Sequence, residues 1–195
     1  MLNHQLVLKP MKRIAFVSII GLVALLASCG TDTAPKKEGG ITKDSVRKMS
    51  IAHIKKLEGE MHQTMELNNV TAGLALTAYT EFANLFPDDS LSADFLFKAG
   101  EVATAIKQYP QALSYYKNIT DKYPTYKNYV MSLYLQGFLQ DNYLNADDKA
   151  KEIYTQVLEK YPTSTFANDA KAAIQNLGKS DEQLIKEFKK KNGQK

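Results

Sequence analysis

Two histidines and two aspartate pairs are the residues of this sequence whose types could support metal binding or acid–base chemistry. His53 and His62 are nine residues apart, which places them about half a turn out of phase on one helix, so they do not converge on a metal ion. The carboxylate pairs are Asp88-Asp89 and Asp147-Asp148. Because neighbouring side chains point apart, a helix cap or a loop position explains them better than catalysis. Neither a glycine-rich phosphate loop nor a defensible Ser-His-Asp order is present, so we predict a non-enzyme without a metal or other cofactor.

Cys29 is the single cysteine of the chain, and it follows a short apolar segment. Lys12 and Arg13 precede a mostly apolar stretch over residues 14–27. That stretch is shorter than the roughly 20 residues of a membrane-spanning helix and is typical of a signal peptide. The small residues directly before Cys29 resemble the lipobox of bacterial lipoproteins. The resemblance implies acylation of Cys29 and removal of the preceding peptide, whereas the alternative is an ordinary signal peptide that ends near a cysteine.

Four regions follow from this interpretation. Residues 1–28 are the signal peptide, with Met1 or Met11 as the start, and residues 29–42 are a small, polar tether that spans roughly 20 Å. A helical domain occupies residues 43–178, and residues 179–195 form a lysine-rich helix or tail. Glycine rather than aspartate follows Cys29. By resemblance to enterobacterial lipoproteins, this favours an outer-membrane lipoprotein facing the periplasm, although exposure at the cell surface stays open.

The positive charge of the chain is confined to its two ends. The formal net charge is +4, yet residues 1–28 hold three basic and no acidic residues, and residues 179–195 hold six lysines and three acids. The remaining 16 basic and 18 acidic residues leave the body slightly negative. A nucleic-acid-binding domain concentrates its basic residues on the folded body, so we predict that nucleic acid is not a partner.

A repeated pattern organises the helical domain. Alanine is followed four residues later by tyrosine, then seven later by an aromatic residue and directly by proline. The three copies are Ala75, Tyr79, Phe86, Pro87; Ala112, Tyr116, Tyr123, Pro124; and Ala150, Tyr154, Tyr161, Pro162. Successive prolines are 37 and 38 residues apart, a period at which stacked units bury their apolar faces on one another. Alanine lets a neighbouring helix approach, tyrosine fills the space one turn further on, and proline ends the helix.

Apolar spacing and stop signals predict seven or eight helices and no strand. The predicted ranges are 43–67, 71–86, 91–107, 109–123, 125–140, 147–161, 164–177 and 181–191. We therefore predict an all-α fold, a right-handed solenoid of antiparallel helix hairpins with about three repeats and a C-terminal cap helix.

The pattern resembles the tetratricopeptide repeat, which places a small residue and an aromatic residue four apart on its second helix and a proline eight further on. Gly100 and Gly137 match the glycine of the family's first helix, and Gln175 stands in that place in the last unit. The long period and the aromatic-proline ending are similar to periplasmic members of the family, the BamD-type lipoproteins and the related Tol-associated coordinator.

This resemblance implies that first helices line a concave groove for partner segments. Counting from Gly100 and Gly137 gives the groove residues Asp94, Phe97, Glu101, Thr104, Met131, Tyr134, Phe138 and Asp141. The alternative for the aromatic members is simple packing against neighbouring helices. The family's carboxylate-clamp version has Lys and Asn at such positions, so their absence disfavours binding of a free C-terminal carboxylate.

Two functions fit the sequence. The first is a membrane-anchored scaffold or adaptor for proteins or peptides of the cell envelope. The second is a surface or periplasmic lipoprotein that captures a nutrient such as a glycan or peptide. Exposed groove aromatics with ordered polar neighbours would favour nutrient capture, and a flat apolar groove would favour a protein partner.

Overall fold

Eight α-helices make up the part of the chain that the computed structural model describes, residues 40–62 and 68–193, and these residues contain no strand. The helices are α1 (Lys43–His62), α2 (Asn69–Leu85), α3 (Ser90–Ala105), α4 (Tyr109–Lys122), α5 (Tyr129–Asn142), α6 (Asp147–Lys160), α7 (Thr165–Asn176) and α8 (Asp181–Lys191). The predicted all-α class is confirmed. The predicted signal peptide, Cys29 and most of the predicted tether lie outside the described residues.

Packing runs from each helix to the next along the chain. From α1 to α7 every helix packs on its successor, and α5 also contacts α7. Short turns between packed neighbours make helix hairpins, here α1/α2, α3/α4 and α5/α6. Helix α7 then stands where the first helix of a fourth hairpin would stand, and α8 packs only loosely on the described chain.

The alanine–tyrosine pattern forms the interior of every hairpin, as predicted. Its residues and the apolar residue that continues the stripe are all at most 2% exposed: Ala75, Tyr79, Phe82, Ala112, Tyr116, Ile119, Ala150, Tyr154 and Val157. Residues four apart on a helix share a face, so each second helix turns one apolar stripe inward. The most conspicuous residues of the sequence are therefore scaffold and not surface.

Two apolar clusters hold the solenoid together. The larger one extends from Ile54 of α1 to Leu139 of α5, and the smaller one joins Leu133 of α5 to residues of α6 and α7. Helix α5 contributes to both clusters because it packs on α4 with one side and on α6 and α7 with another.

Helix ends follow the expected capping chemistry. The Asp89 carboxylate accepts a hydrogen bond from the Leu91 N–H at 2.9 Å and caps α3. Ser180 and Gln183 form a reciprocal capping box at the start of α8, and Gly178, the predicted stop after α7, has a φ of +73°. These contacts satisfy backbone groups that a helix end leaves without a partner.

Four predicted boundaries differ by two or more residues: the start of α2, the end of α3 and both ends of α5. The predicted end of α1 at residue 67 lies outside the described residues. Helix α3 ends at Ala105 because Lys107 adopts the left-handed conformation and the Gln108 N–H bonds back to the Ala103 carbonyl, which closes the helix. Helix α5 begins at Tyr129, not at residue 125, because residues 124–128 form turns closed by the N–H of Tyr126 on the carbonyl of Tyr123. Within residues 40–62 and 68–193, no helix is both long enough and apolar enough to span a membrane.

Candidate functional site

Glycine contacts set the distance between the two helices of a hairpin. A Cβ on Gly100 of α3 would stand 2.5 Å from ring carbons of Tyr116 on α4, and a Cβ on Gly137 of α5 would stand 2.7 Å from the Tyr154 ring on α6. Neither gap admits a side chain, so the helices meet at these points. The remaining faces of α3 and α5 carry the predicted groove residues.

On α3, two of these residues are already engaged within the protein. Phe97 is 6% exposed, with ring centroids 5.6 Å from Tyr116 and 6.2 Å from Tyr126. Asp94 accepts a hydrogen bond from the Tyr126 hydroxyl at 2.9 Å and forms an ion pair with Lys127 at 3.0 Å. Phe97 is therefore buried and does not line an open surface, because Tyr126, in the turn before α5, packs over it.

The other two α3 positions are polar and differ in accessibility. The side chain of Glu101 is exposed as a whole, but neighbouring atoms partly desolvate its carboxyl group. This desolvation raises the pKa of Glu101, and the charge of Lys98 opposes the shift. Lys98 itself forms an ion pair with Glu58 of α1 at 2.7 Å. The Thr104 hydroxyl donates to the Gly100 carbonyl at 2.7 Å, so it is used within its own helix. The α3 positions do not form one cleft.

On α5, three of the four predicted positions come together. Tyr134, Phe138 and Asp141 line an open cleft of about 690 Å³ between α5, α6, α7 and the segment that leads to α8. Met131, the fourth, packs partly buried against the larger apolar cluster. We refer to this cleft as the α5–α7 cleft and treat it as the candidate site.

Aromatic contacts hold the α5 wall of the cleft. The Tyr134 ring contacts two others, with its centroid 5.5 Å from that of Tyr154 and 5.4 Å from that of Phe166, which stacks on it at 29°. Phe138 meets the edge of Tyr143 at 5.9 Å, and Tyr143 stacks on Tyr109 at 4.0 Å. Tyr134 and Phe138 are both half-buried, so each ring packs against its neighbours and is also accessible to solvent.

Carboxylates give the α5–α7 cleft its charge. Burial raises the pKa of the Asp141 carboxyl, the charge of Asp147 adds to that shift, and a hydrogen bond from the Tyr154 hydroxyl at 3.3 Å opposes it. Burial also raises the pKa of Tyr134, and the charges of Asp169 and Asp141 reinforce the effect. Within the described residues, no ion pair neutralises Asp141 or Asp169. The cleft thus combines aromatic rings with carboxylates that carry no ion-pair partner in the described part of the chain.

Helix α7 supplies a wall that the sequence analysis missed. The residues of this wall are Asp169, Ala172 and Asn176, and Lys179 just after the helix continues it. Their offsets from Gln175 equal those of the predicted groove residues from Gly100 and Gly137. Extending the count past the missing glycine would have found all four. Lys179 is the basic member, and it is paired with Glu187 at 2.6 Å.

Comparison with known proteins finds a family match over two segments of the chain. Residues 94–126 and 131–164 match the family model Tetratricopeptide repeat. These segments cover most of α3/α4 and α5/α6 and together about a third of the chain. Repeats of this kind typically form non-enzymatic scaffolds, and the all-α hairpins described above are consistent with such repeats. No curated protein matches the chain.

The chemistry available in the cleft is binding chemistry. Aromatic faces and carboxylates together attract cationic side chains, through the ring quadrupole and through charge-assisted hydrogen bonds. His53 and His62 both lie exposed on α1, remote in sequence from the cleft residues. The described residues contain no group of three or more His, Cys, Asp or Glu side chains that could hold a metal ion.

Proposed function

We propose that this chain is a scaffold anchored to a membrane of the bacterial cell envelope, where its repeat hairpins mediate protein–protein interactions. The match of two hairpins to the tetratricopeptide repeat supports the scaffold role. The apolar segment that ends at Cys29 supports the anchor. The partners are proteins or peptides of the envelope, and the domain faces the periplasm from the outer membrane.

The α5–α7 cleft carries the scaffold proposal. Predicted groove residues of α5, Tyr134, Phe138 and Asp141, line one open surface together with Asp169 of α7. Half-buried aromatic rings with a charged rim are suited to anchor a partner segment. Because no ion pair within the described residues neutralises Asp141 or Asp169, and Lys179 is paired with Glu187, the segment that fits best presents a lysine or arginine to these carboxylates.

Site-specific crosslinking in cells tests this role. A photoreactive amino acid replaces Phe138 in the cleft, and the matched control replaces Glu152, which is exposed on the outer face of α6. We expect a discrete adduct of protein size from position 138 and none from position 152. Asparagine at both Asp141 and Asp169 should weaken that adduct. Identical adducts from both positions, or none from position 138, would contradict the proposal.

Fractionation tests the anchor separately. We expect the parent chain to incorporate a labelled fatty acid and to sediment with outer-membrane fractions, and the Cys29→Ser variant to do neither. If both chains are soluble and unlabelled, the anchor is wrong, while the crosslinking result still decides the scaffold role.

Nutrient capture is the second candidate, and the polar part of the cleft lining is the observation that supports it. Asn142, Asn145 and Asn176 stand among the aromatic and acidic residues, so the aromatics have polar neighbours. The volume of about 690 Å³ also falls in the range of small-molecule sites. An adduct at position 138 that adds the mass of a small ligand, rather than of a protein, would select this function over the scaffold.

A further inference from the structure

Helix α8 leaves an apolar strip uncovered. Ile185 is 54% and Phe188 is 63% exposed, and because they are three residues apart they share one face of the helix. Leu184, the third apolar residue of α8, is half-buried beside α7. The strip borders an open space of about 730 Å³ between α7 and α8, so nothing in the described chain covers Ile185 and Phe188.

Lysines flank this strip. Lys189 lies one turn beyond Ile185, and Lys191 lies one turn beyond Phe188. Lys186 and Lys190 occupy the opposite, polar face. Within the described residues, none of these four lysines forms an ion pair. Helix α8 is therefore a basic amphipathic helix at the end of a body that carries a slight negative charge.

An anionic lipid surface suits this strip better than a protein does. Two exposed apolar side chains fall far short of the roughly 20–30 residues per side in a stable protein interface. Contact between two copies of α8 about a two-fold axis would bury only the same two apolar side chains on each copy. A lipid surface instead requires no matched shape and attracts the lysines through its phosphates.

We infer that α8 binds the surface of a phospholipid bilayer that contains anionic lipid, with Ile185 and Phe188 inserted at the interface and Lys189 and Lys191 on the phosphates. The inference rests on the proposed envelope location only for the presence of such a bilayer near the domain. Binding by so short a strip is weak alone and becomes effective when a second attachment holds it close.

A local fluorescence measurement tests the inference on the full chain. All proteins carry Cys29→Ser, which removes the native cysteine, and a single new cysteine with an environment-sensitive dye, from Phe188→Cys or from Lys186→Cys on the polar face. Vesicles of phosphatidylcholine are compared with equimolar phosphatidylcholine and phosphatidylglycerol. Every protein also contains the apolar segment 14–27, which can bind vesicles by itself. The contribution of α8 to vesicle binding is therefore the part of the fluorescence change that depends on dye position and on anionic lipid.

We expect the dye at position 188 to report an apolar environment with the anionic vesicles alone, and the dye at position 186 to stay in water. Lys189→Gln with Lys191→Gln should lower the partition coefficient by roughly 30-fold, since each basic residue near an anionic surface contributes about five-fold. The charge-matched pair Lys151→Gln and Lys160→Gln, on the exposed face of α6, should leave it unchanged.

Three results would overturn the inference. The dye at position 188 could respond equally to both vesicle types, the two lysine pairs could have equal effects, or the dye could respond without lipid as protein concentration or an added acidic polypeptide rises. The last result would assign the strip to a second copy or to a protein partner. Because every arm lacks Cys29, failure of the proposed acylation leaves this test unaffected.

Discussion

Tyr116 packs its ring directly on the backbone of Gly100, so closely that a Cβ on residue 100 would stand 2.5 Å from two ring carbons. The ring is only 2% exposed and is also held by Phe97, so it has little freedom to move aside. The same contact recurs between Tyr154 and Gly137. The paired tyrosine and glycine therefore set the approach of α3 to α4 and of α5 to α6.

Alanine at position 100 should destabilise the domain. We expect Gly100→Ala to lower the free energy of unfolding by about 1–3 kcal/mol, because the added methyl group overpacks a filled interior. Gly73→Ala is the control, since a Cβ there meets nothing within 4 Å and alanine favours a helix by up to about 1 kcal/mol. Chemical denaturation followed by circular dichroism measures both. The two substitutions should change the free energy of unfolding in opposite directions. Equal changes would refute the role given to Gly100.

A charge in the alanine stripe should unfold the chain. Ala112 of α4 is fully buried, so Ala112→Glu places a carboxylate between helices without a partner, at a cost of about 3–5 kcal/mol. We expect the cooperative thermal transition to disappear. Ser114→Glu adds the same charge at an exposed position of the same helix and should retain the parental melting temperature. A cooperative Ala112→Glu transition at that temperature would show that the stripe is not interior.

Asp89 should make stability depend on pH in the acid range. Its carboxylate accepts hydrogen bonds from Arg47 of α1, one of them 3.2 Å long, and these lower its pKa below the ordinary 3.8. A lowered pKa in the folded state means that the unfolded chain binds the proton more tightly. The stabilisation is therefore complete above about pH 4 and is lost as pH falls through the lowered pKa.

Two substitutions separate the roles of Asp89. Asp89→Asn keeps an acceptor for the Leu91 N–H and should abolish this part of the pH dependence. Asp89→Ala should lose about 1 kcal/mol more, because the α3 cap is also removed. Denaturation at a series of pH values between acid and neutral measures both effects. Parallel pH profiles for the parent and Asp89→Asn would exclude the Arg47 contact as their cause.

Asp141 should behave in the opposite sense. Its pKa is raised by burial and by Asp147, so the folded chain binds the proton more tightly and stability declines as pH rises through that pKa. We expect Asp141→Asn, which keeps an acceptor for Tyr154, to be more stable than the parent at neutral pH and equal to it once the parent is protonated. Glu152→Gln, at an exposed site on α6, should shift stability by less than about 0.5 kcal/mol. A less stable Asp141→Asn at neutral pH would contradict this assignment.

The helices were predictable because local signals and the repeat agreed. Alanine and tyrosine four residues apart identified the inward stripe, and Pro87, Pro124 and Pro162 identified its ends. The start of α5 was not predictable, because the turn after Pro124 depends on contacts such as the bond from Tyr126 to Asp94, 32 residues earlier in the chain. Local propensity carries no information about such a contact.

The candidate site was predictable in part for a related reason. Counting from a glycine selected Tyr134, Phe138 and Asp141, which line one surface, but it also selected Phe97, which is buried. Position in a repeat determines the face of a helix, whereas exposure depends on what the neighbouring turn does, here through Tyr126. Asp169 was missed because Gln175 replaces the glycine from which α7 would have been counted.

The division of the apolar interior between two clusters has a consequence for hydrogen exchange. Since α6 and α7 share their small cluster only with α5, they can open as a local unit while α1 to α4 keep the larger cluster intact. Amides of α6 and α7 should then exchange faster than those of α2 to α4. The α5–α7 cleft is built on this less protected unit, so any bound molecule should slow exchange there selectively. Occupancy could thus be followed from amide protection in α6 and α7 before the ligand is identified.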